Sequence, residues 1–153
     1  YEANNNVKIR IARIFNTYGR FMDPDDGRVV SNFVVQALKG KPITVYGDGS
    51  QTRSFCFVDD MVNGLIKLLH SDYNRPVNLG NPDEYSMINF AKIVNEMVNG
   101  NSKIIFEGLP EDDPKKRCPD ISLAKEILQW EPKYSLQEGL GETIEWYRKV
   151  INE

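Results

Sequence analysis

The segment VKIRIARIF, residues 7–15, alternates basic and apolar side chains and then becomes wholly apolar. This pattern predicts a β-strand that enters a buried sheet. Residues 16–27 are rich in glycine, proline and acidic residues, which predicts a loop. Ligands of open α/β sheets bind at the carboxyl ends of strands, so Asn16 and Thr17 lie where a ligand would bind. The alternative is that these two side chains only satisfy the backbone of their own loop.

Outward from this segment, apolar periodicity and turn residues predict alternating helices and strands. The predicted helices are 29–38, 60–69, the segment between Ser86 and Gly100, 120–128, and a last one beginning at the Ser135/Glu138 capping box. The predicted strands that follow residues 7–15 are 43–46, 54–58, 77–79 and 103–106. Strands that alternate with helices through short links indicate an α/β fold.

Composition sets limits on function. The chain has 153 residues, 41% of them hydrophobic and 27% charged, with a net charge of −3, which suits one globular domain. A slightly acidic chain argues against nucleic-acid binding, and no apolar run is long enough to span a membrane. Cys56, Cys118 and the single histidine, His70, do not have zinc-ligand spacing, so no metal site is predicted. The two thiols are expected to be reduced and buried, and His70 to close a helix.

The sequence has no G-x-G-x-x-G or related glycine-rich phosphate loop. It begins at Tyr1 without an initiator methionine or a signal peptide, so we expect a fragment of a longer protein. If a dinucleotide is bound, its pyrophosphate loop is expected on sequence upstream of this segment.

A second polar cluster, YGDGSQTRSF at residues 46–55, places Arg53 at the start of a buried strand. The planar guanidinium suits two phosphate oxygens better than it suits a packed sheet. The alternative is a structural ion pair with Asp59 or Asp60.

A third cluster, residues 111–120, is a charge run that would ordinarily be a solvated surface. Its two prolines stiffen the segment and fix the direction of Arg117.

The order of five blocks resembles the UDP-glucuronate decarboxylases, a family of extended short-chain dehydrogenases. The blocks are RIFNTYG (13–19), DGRVVSNFVVQAL (26–38), ITVYGDGSQTRSF (43–55), PVNLGNP (76–82) and DDPKKRCPDI (112–121). The resemblance covers essentially the whole chain. Single blocks also occur in related dehydratases and epimerases, whereas the last block is closest to the decarboxylases. One departure is Arg20-Phe21, where the family usually has a proline after the glycine.

The resemblance implies a role for each matching residue. The chain would be the C-terminal part of a Rossmann-like fold with its small mixed substrate-binding domain, residues 7–15 being a strand of the dinucleotide-binding sheet. The implied UDP-sugar contacts are Tyr1 at the pocket edge, Asn16 at the sugar nucleotide, Tyr46 along the uracil, Arg53 and Arg117 on the diphosphate, and Asn78 at the nucleoside or phosphate. Thr17 and Arg28 would face the NAD cofactor. The family's catalytic Tyr-x-x-x-Lys pair has no counterpart in this sequence and would lie upstream.

The implied reaction converts UDP-glucuronate into UDP-xylose and carbon dioxide with bound NAD, through a 4-keto intermediate. A ketone β to the carboxylate permits decarboxylation because the electrons pass into an enolate. The resemblance also implies a homodimer of the full-length protein, located in the cytoplasm, or in the Golgi lumen if a membrane anchor lies upstream. The alternatives are a UDP- or dTDP-sugar 4,6-dehydratase or 4-epimerase, and a nucleotide-sugar-binding module without catalysis.

Overall fold

The computed structural model describes residues 7–108 and 116–151. Its strands are β1 (Ile11–Ile14), β2 (Thr17–Tyr18), β3 (Ile43–Tyr46), β4 (Thr52–Ser54), β5 (Cys56–Phe57), β6 (Pro76–Leu79), β7 (Glu84–Ser86), β8 (Ile104–Glu107) and β9 (Lys116–Arg117). Its helices are α1 (Val29–Leu38), α2 (Val58–His70), α3 (Met87–Met97), α4 (Ser122–Leu128) and α5 (Leu136–Ile151). This alternation confirms the α/β class.

Parallel pairing dominates the sheet topology. β1 pairs with β6, β2 with β5, and β3 with β8, each in parallel. The remaining sheet has the order β7-β4-β9, in which β4 is antiparallel to β7 and parallel to β9. Because parallel partners end at the same edge, residues from distant parts of the sequence meet at the carboxyl ends of these strands.

Helix starts follow the sequence signals. The Ser86 side chain accepts a hydrogen bond from the Asn89 backbone N–H, as expected of an N-cap. The capping box is reciprocal: Ser135 N–H donates to the Glu138 carboxylate at 2.9 Å, and Glu138 N–H donates to Ser135 Oγ at 3.3 Å. His70 lies in the last turn of α2, as predicted.

Several predicted boundaries were wrong. The loop over residues 16–27 contains the short strand β2, which pairs with β5. The strand predicted at 54–58 is divided at Phe55, because β4 pairs with β7 and β9 whereas β5 pairs with β2. Helix α2 starts at Val58, two residues before the predicted start at Asp60. The first strand covers only Ile11–Ile14 of the nine residues predicted, and β7 was not predicted at all.

Two hydrophobic clusters hold the elements together. The larger includes the buried faces of α1, α3 and α5 against β3, and the smaller lies under α2, α4 and β6. In the larger cluster, the Phe55 ring stacks on Phe90 at 4.5 Å, and Phe90 stacks on Phe33 at 5.7 Å. Cys56 is buried as expected, whereas Cys118 is partly exposed, and both thiols are free. Among the described residues, no helix has the length and apolar character needed to cross a membrane.

Helix α5 approaches the sheet closely at one glycine. A Cβ added to Gly139 would lie 2.8 Å from Phe57 Cδ2 and would also collide with the Tyr18 hydroxyl. Gly141, in the same helix, has nothing within 4 Å of an added Cβ. Packing therefore requires glycine at position 139, whereas position 141 has room for a larger side chain.

We expect Gly139→Ala to lower the free energy of unfolding by about 1–3 kcal/mol, because the added methyl forces α5 away from β5. The matched control Gly141→Ala should raise it by about 0.8–1 kcal/mol, because alanine is the better helix former. Urea unfolding followed by circular dichroism measures both. Equal effects of the two substitutions would show that the close packing of α5 is not as described.

Candidate functional site

A cleft of about 670 Å³ lies where the carboxyl ends of β1 and β3 meet the amino-terminal end of α1. Its floor is partly aromatic, because Phe33 and Phe55 of the larger hydrophobic cluster line it. The cleft is lined by Asn16, Thr17, Met22, Gly27, Arg28, Val29, Val30, Asn32, Phe33, Gln36, Thr44, Tyr46, Gln51, Arg53, Phe55, Met87, Glu107 and Arg117. Most of the residues singled out in the sequence are therefore brought together.

Asn16 and Thr17 reach this cleft from the end of β1, but their side chains donate hydrogen bonds to different parts of the chain. Thr17 Oγ1 donates to the Phe15 carbonyl at 2.9 Å, which is the local backbone role considered as the alternative. Asn16 Nδ2 donates to the Ser54 carbonyl at 3.3 Å, and Asn16 O accepts from Cys56 N–H at 2.8 Å. Asn16 thus links β1 to the β4–β5 segment, and its amide oxygen accepts no hydrogen bond within residues 7–108 and 116–151.

Arg28 is held at the cleft by Asp26. Its Nε donates to Asp26 Oδ2 at 2.6 Å, and its backbone N–H donates to Asp26 Oδ1 at 2.9 Å. Its Nη1 reaches the Thr17 carbonyl at 3.5 Å. Although partial burial opposes it, hydrogen bonds from Ser31 and Arg28 lower the pKa of Asp26, so the carboxylate stays ionised beside the guanidinium. Arg28 therefore links the start of α1 to β2 at the cleft, with its guanidinium oriented by Asp26.

Arg53 is more deeply buried than a solvent-facing ligand arginine, with 8% of its surface exposed. Its Nη1 donates to the Thr52 carbonyl at 2.8 Å.

The alternative, an ion pair of Arg53 with Asp59 or Asp60, is wrong: neither pair forms within the described part of the chain. Asp59 accepts two hydrogen bonds from Arg20, at 2.8 and 2.9 Å. Asp60 accepts the backbone N–H groups of Lys133 and Tyr134, each at 3.0 Å. Both carboxylates therefore serve other parts of the fold.

Arg117 lies on β9, directly opposite Arg53 on β4 in the parallel register. Its side chain is exposed, and it lines the cleft together with Arg53. Next to it, Lys116 forms an ion pair with Glu84 of β7 at 2.8 Å, and Glu84 also accepts from Thr52 Oγ1 at 2.7 Å. These contacts across the sheet edge place the two arginines side by side.

Tyr46 ends β3 with 44% of its surface exposed and lines the cleft. Its carbonyl accepts from Gln51 Nε2 at 2.8 Å, which closes the turn between β3 and β4. An exposed aromatic ring at the wall of a cleft suits a planar ligand ring.

One predicted site residue, Asn78, does not line the cleft. The Asn78 amide donates to the Asp120 carbonyl at 2.9 Å, and Asn78 is absent from the lining of the cleft. Its position on β6, paired with Arg13 on β1, directs it to the start of α4 instead. Tyr1 lies outside the described residues.

Sequence reasoning missed several polar residues of the cleft, among them Gln36, Gln51 and Glu107. Gln36 bridges α1 to β3, since Thr44 N–H donates to Gln36 Oε1 at 3.0 Å and Gln36 Nε2 donates to Thr44 Oγ1 at 3.3 Å. Gln51 closes the β3–β4 turn, and Glu107 ends β8 opposite Tyr46. The polar position of Gln36 on an otherwise apolar helix face was a usable signal, whereas Glu107 depends on the long-range pairing of β3 with β8.

Comparisons with known proteins give a consistent relationship. Residues 1–80 match the model of the NAD dependent epimerase/dehydratase family. The chain is 56% identical over 151 residues to UDP-glucuronic acid decarboxylase 4 of Arabidopsis thaliana, covering 99% of this chain and 34% of that protein. It is 50% identical over 151 residues to UDP-glucuronic acid decarboxylase 1 of Xenopus tropicalis, covering 99% and 36%. The chain thus spans about a third of the length of these curated relatives.

Solved structures give the same picture of the fold. The UDP-glucose 4-epimerase of Thermotoga maritima, solved with UDP-glucose, matches with a TM-score of 0.92 and 30% identity, covering 98% of this chain and 49% of that one. The UDP-glucuronic acid 4-epimerase of Bacillus cereus, solved with UDP-glucuronic acid and NAD, matches with a TM-score of 0.88 and 29% identity, covering 98% and 48%.

Proposed function

The chain belongs to the NAD-dependent epimerase/dehydratase family, and on that premise we propose that it forms the UDP-sugar-binding part of a UDP-glucuronate decarboxylase. The observation that carries this proposal is the placement of Arg53 and Arg117 side by side in one cleft, next to an exposed Tyr46. The 50–56% identity to curated decarboxylases over 99% of the chain supports the choice of reaction.

The charge of the cleft supports an anionic ligand. Among its lining residues in the described part of the chain, three are arginines and one is acidic, although the chain as a whole carries a net charge of −3. Arginine binds phosphate oxygens through two parallel N–H donors, so Arg53 and Arg117 can hold a diphosphate from neighbouring strands. The Tyr46 ring then supports the uracil, and Asn16 at the end of β1 hydrogen-bonds the sugar.

Asn78 and Tyr1 have weaker support. Asn78 already donates to a backbone carbonyl, so it can contact the nucleotide only after that bond breaks. The proposal that Tyr1 borders the sugar pocket rests on the family resemblance alone. Residues 1–153 would form a single C-terminal portion, with the first strand belonging to the dinucleotide-binding sheet.

The cofactor proposed for the full-length protein is NAD. Thr17 and Arg28 line the cleft beside Asn16, and the fixed guanidinium of Arg28 is a suitable donor to an amide or phosphate oxygen. NAD, when bound, supplies a hydride acceptor for C4 of the sugar and returns the hydride. The residues of this chain would orient the UDP-sugar and hold its charge while the carboxylate leaves as carbon dioxide.

A second candidate function is 4-epimerisation. It is favoured by the solved structures, which are UDP-sugar 4-epimerases with TM-scores of 0.88–0.92. The identity to these epimerases is 29–30%, well below that to the decarboxylases, and for this reason we place decarboxylation first.

We further propose that the full-length protein is a homodimer in the cytoplasm. The dimer rests on the resemblance, and the compartment on the two free cysteines, since thiols persist in a reducing environment.

We expect Arg117→Ala to weaken UDP binding by about ten- to a hundred-fold, because each guanidinium makes charge-assisted hydrogen bonds to the diphosphate. Its melting temperature should hardly change, since the side chain is exposed. Arg53→Ala should weaken binding similarly but also lower the melting temperature, because Arg53 is buried. Lysine at either position should restore only part of the affinity, because it lacks the planar fork. Calorimetric titration with UDP beside thermal melts measures both effects.

The matched control for Arg117→Ala is Arg75→Ala, which removes the same charge from an exposed position that does not line the cleft. It should leave UDP affinity unchanged. If Arg117→Ala and Arg53→Ala also leave UDP affinity unchanged, the diphosphate does not lie between β4 and β9.

We expect this chain alone to form no UDP-xylose from UDP-glucuronate and NAD, because its sequence has no Tyr-x-x-x-Lys pair. The full-length protein should convert UDP-glucuronate into UDP-xylose and one equivalent of carbon dioxide. Chromatography of the nucleotide sugars with capture of labelled carbon dioxide measures this. Formation of UDP-galacturonate without carbon dioxide would replace decarboxylation by 4-epimerisation.

A further inference from the structure

Glu107 lies in the same cleft, one strand away from Tyr46. The parallel register of β3 and β8 makes these two residues direct partners. Side chains alternate along a strand, and Thr44 and Tyr46 both line the cleft, so their partners on β8 are on the same face of the sheet. Glu107 itself lines the cleft, as this register requires.

A carboxylate at this position is unexpected if the cleft binds only an anion. Like charges repel, and the diphosphate proposed to lie between Arg53 and Arg117 would be destabilised by a nearby carboxylate without a compensating contact. In residues 7–108 and 116–151, the Glu107 carboxylate takes part in no hydrogen bond or ion pair, although Arg117 lines the same cleft. Its backbone is engaged instead, since the Glu107 carbonyl accepts from Gly47 N–H at 2.8 Å. The carboxylate is therefore placed to accept hydrogen bonds from a neutral part of the ligand.

The ribose of a nucleoside diphosphate offers the matching donors. An ionised carboxylate is an acceptor only, and its two oxygens fit the two O–H groups of a vicinal diol. The uracil N3–H is a poorer partner, because it is flanked by two carbonyl oxygens that would repel the second carboxylate oxygen. With the base against Tyr46, the sugar bonded to it lies within about one strand spacing of that ring.

We propose that Glu107 accepts hydrogen bonds from the 2′- and 3′-hydroxyls of the ribose, and that it makes the cleft selective for ribonucleoside over 2′-deoxyribonucleoside diphosphates. This inference rests on the proposed function and names the nucleotide class that the cleft takes. A site that hydrogen-bonds a ligand hydroxyl rejects the analogue without it strongly, because the polar group of the site is left unpaired. The dTDP-sugars, which lack the 2′-hydroxyl, would accordingly be poor ligands.

The test is calorimetric titration of this chain with UDP and with 2′-deoxy-UDP, using the wild type, Glu107→Ala and Glu107→Gln. The wild type should bind 2′-deoxy-UDP at least about tenfold more weakly than UDP. In Glu107→Ala the preference for UDP should disappear, because both nucleotides lose their contacts to the carboxylate, and UDP affinity should fall at least to the level of 2′-deoxy-UDP on the wild type. Glu107→Gln keeps one acceptor oxygen and should retain part of the preference.

The direction in which UDP affinity changes in Glu107→Ala distinguishes recognition of the ribose from simple removal of a negative charge. If Glu107 were only a negative charge near an anion, Glu107→Ala would bind UDP as tightly as the wild type or more tightly, and this result would overturn the inference. The matched control Glu126→Gln removes an exposed carboxylate on α4 that does not line the cleft, and it should change neither affinity. Equal binding of the two nucleotides by the wild type would overturn the ribose assignment alone. Failure of the wild type to bind UDP would overturn the proposed function together with it.

Discussion

Parallel pairing between segments that are far apart in sequence is the constraint on which the rest of the structure depends. β1 pairs with β6, β2 with β5, β3 with β8, and β4 with β9, all in parallel. The carboxyl ends of such partners meet at one edge. The carboxyl ends of two different pairs bring Asn16 after β1, and Tyr46 and Glu107 at the ends of β3 and β8, into one cleft, and the β4–β9 pair adds two arginines. The cleft is therefore a consequence of strand direction, and Phe33 and Phe55 of the aromatic stack line it.

The locally encoded parts of the fold could be predicted from the sequence. α1 and β3 have the predicted bounds, and the caps at Ser86 and Ser135 form the predicted hydrogen bonds, because capping and apolar periodicity involve residues within a few positions. β2, β7 and the break at Phe55 could not be predicted in this way. Strands of two or three residues are too short to show alternation, and their existence depends on partners tens of residues away.

The residues of the candidate site also divide into those that local sequence could identify and those that depend on long-range pairing. Tyr46, Arg53 and Arg117 could be singled out by chemical type, and the structure brings them into one cleft. Nearness in sequence was a poor guide to the partners of Arg53. Asp59 instead accepts hydrogen bonds from Arg20, and Asp60 accepts them from backbone N–H groups that precede α5. Asn78 likewise turns to Asp120. Glu107 was missed because its relation to Tyr46 exists only once β3 and β8 have paired.

Binding and chemistry are separable if this chain supplies the proposed contacts to the nucleotide, because the Tyr-x-x-x-Lys pair is absent from its sequence. We propose that the diphosphate of a UDP-sugar lies between β4 and β9. The most direct measurement is a crystal structure of this chain with UDP at a saturating concentration. We expect density for the uracil against Tyr46 and for both phosphates within hydrogen-bond distance of Arg53 and Arg117. Density for the diphosphate away from both arginines, or an empty cleft with UDP bound elsewhere on the chain, would contradict it.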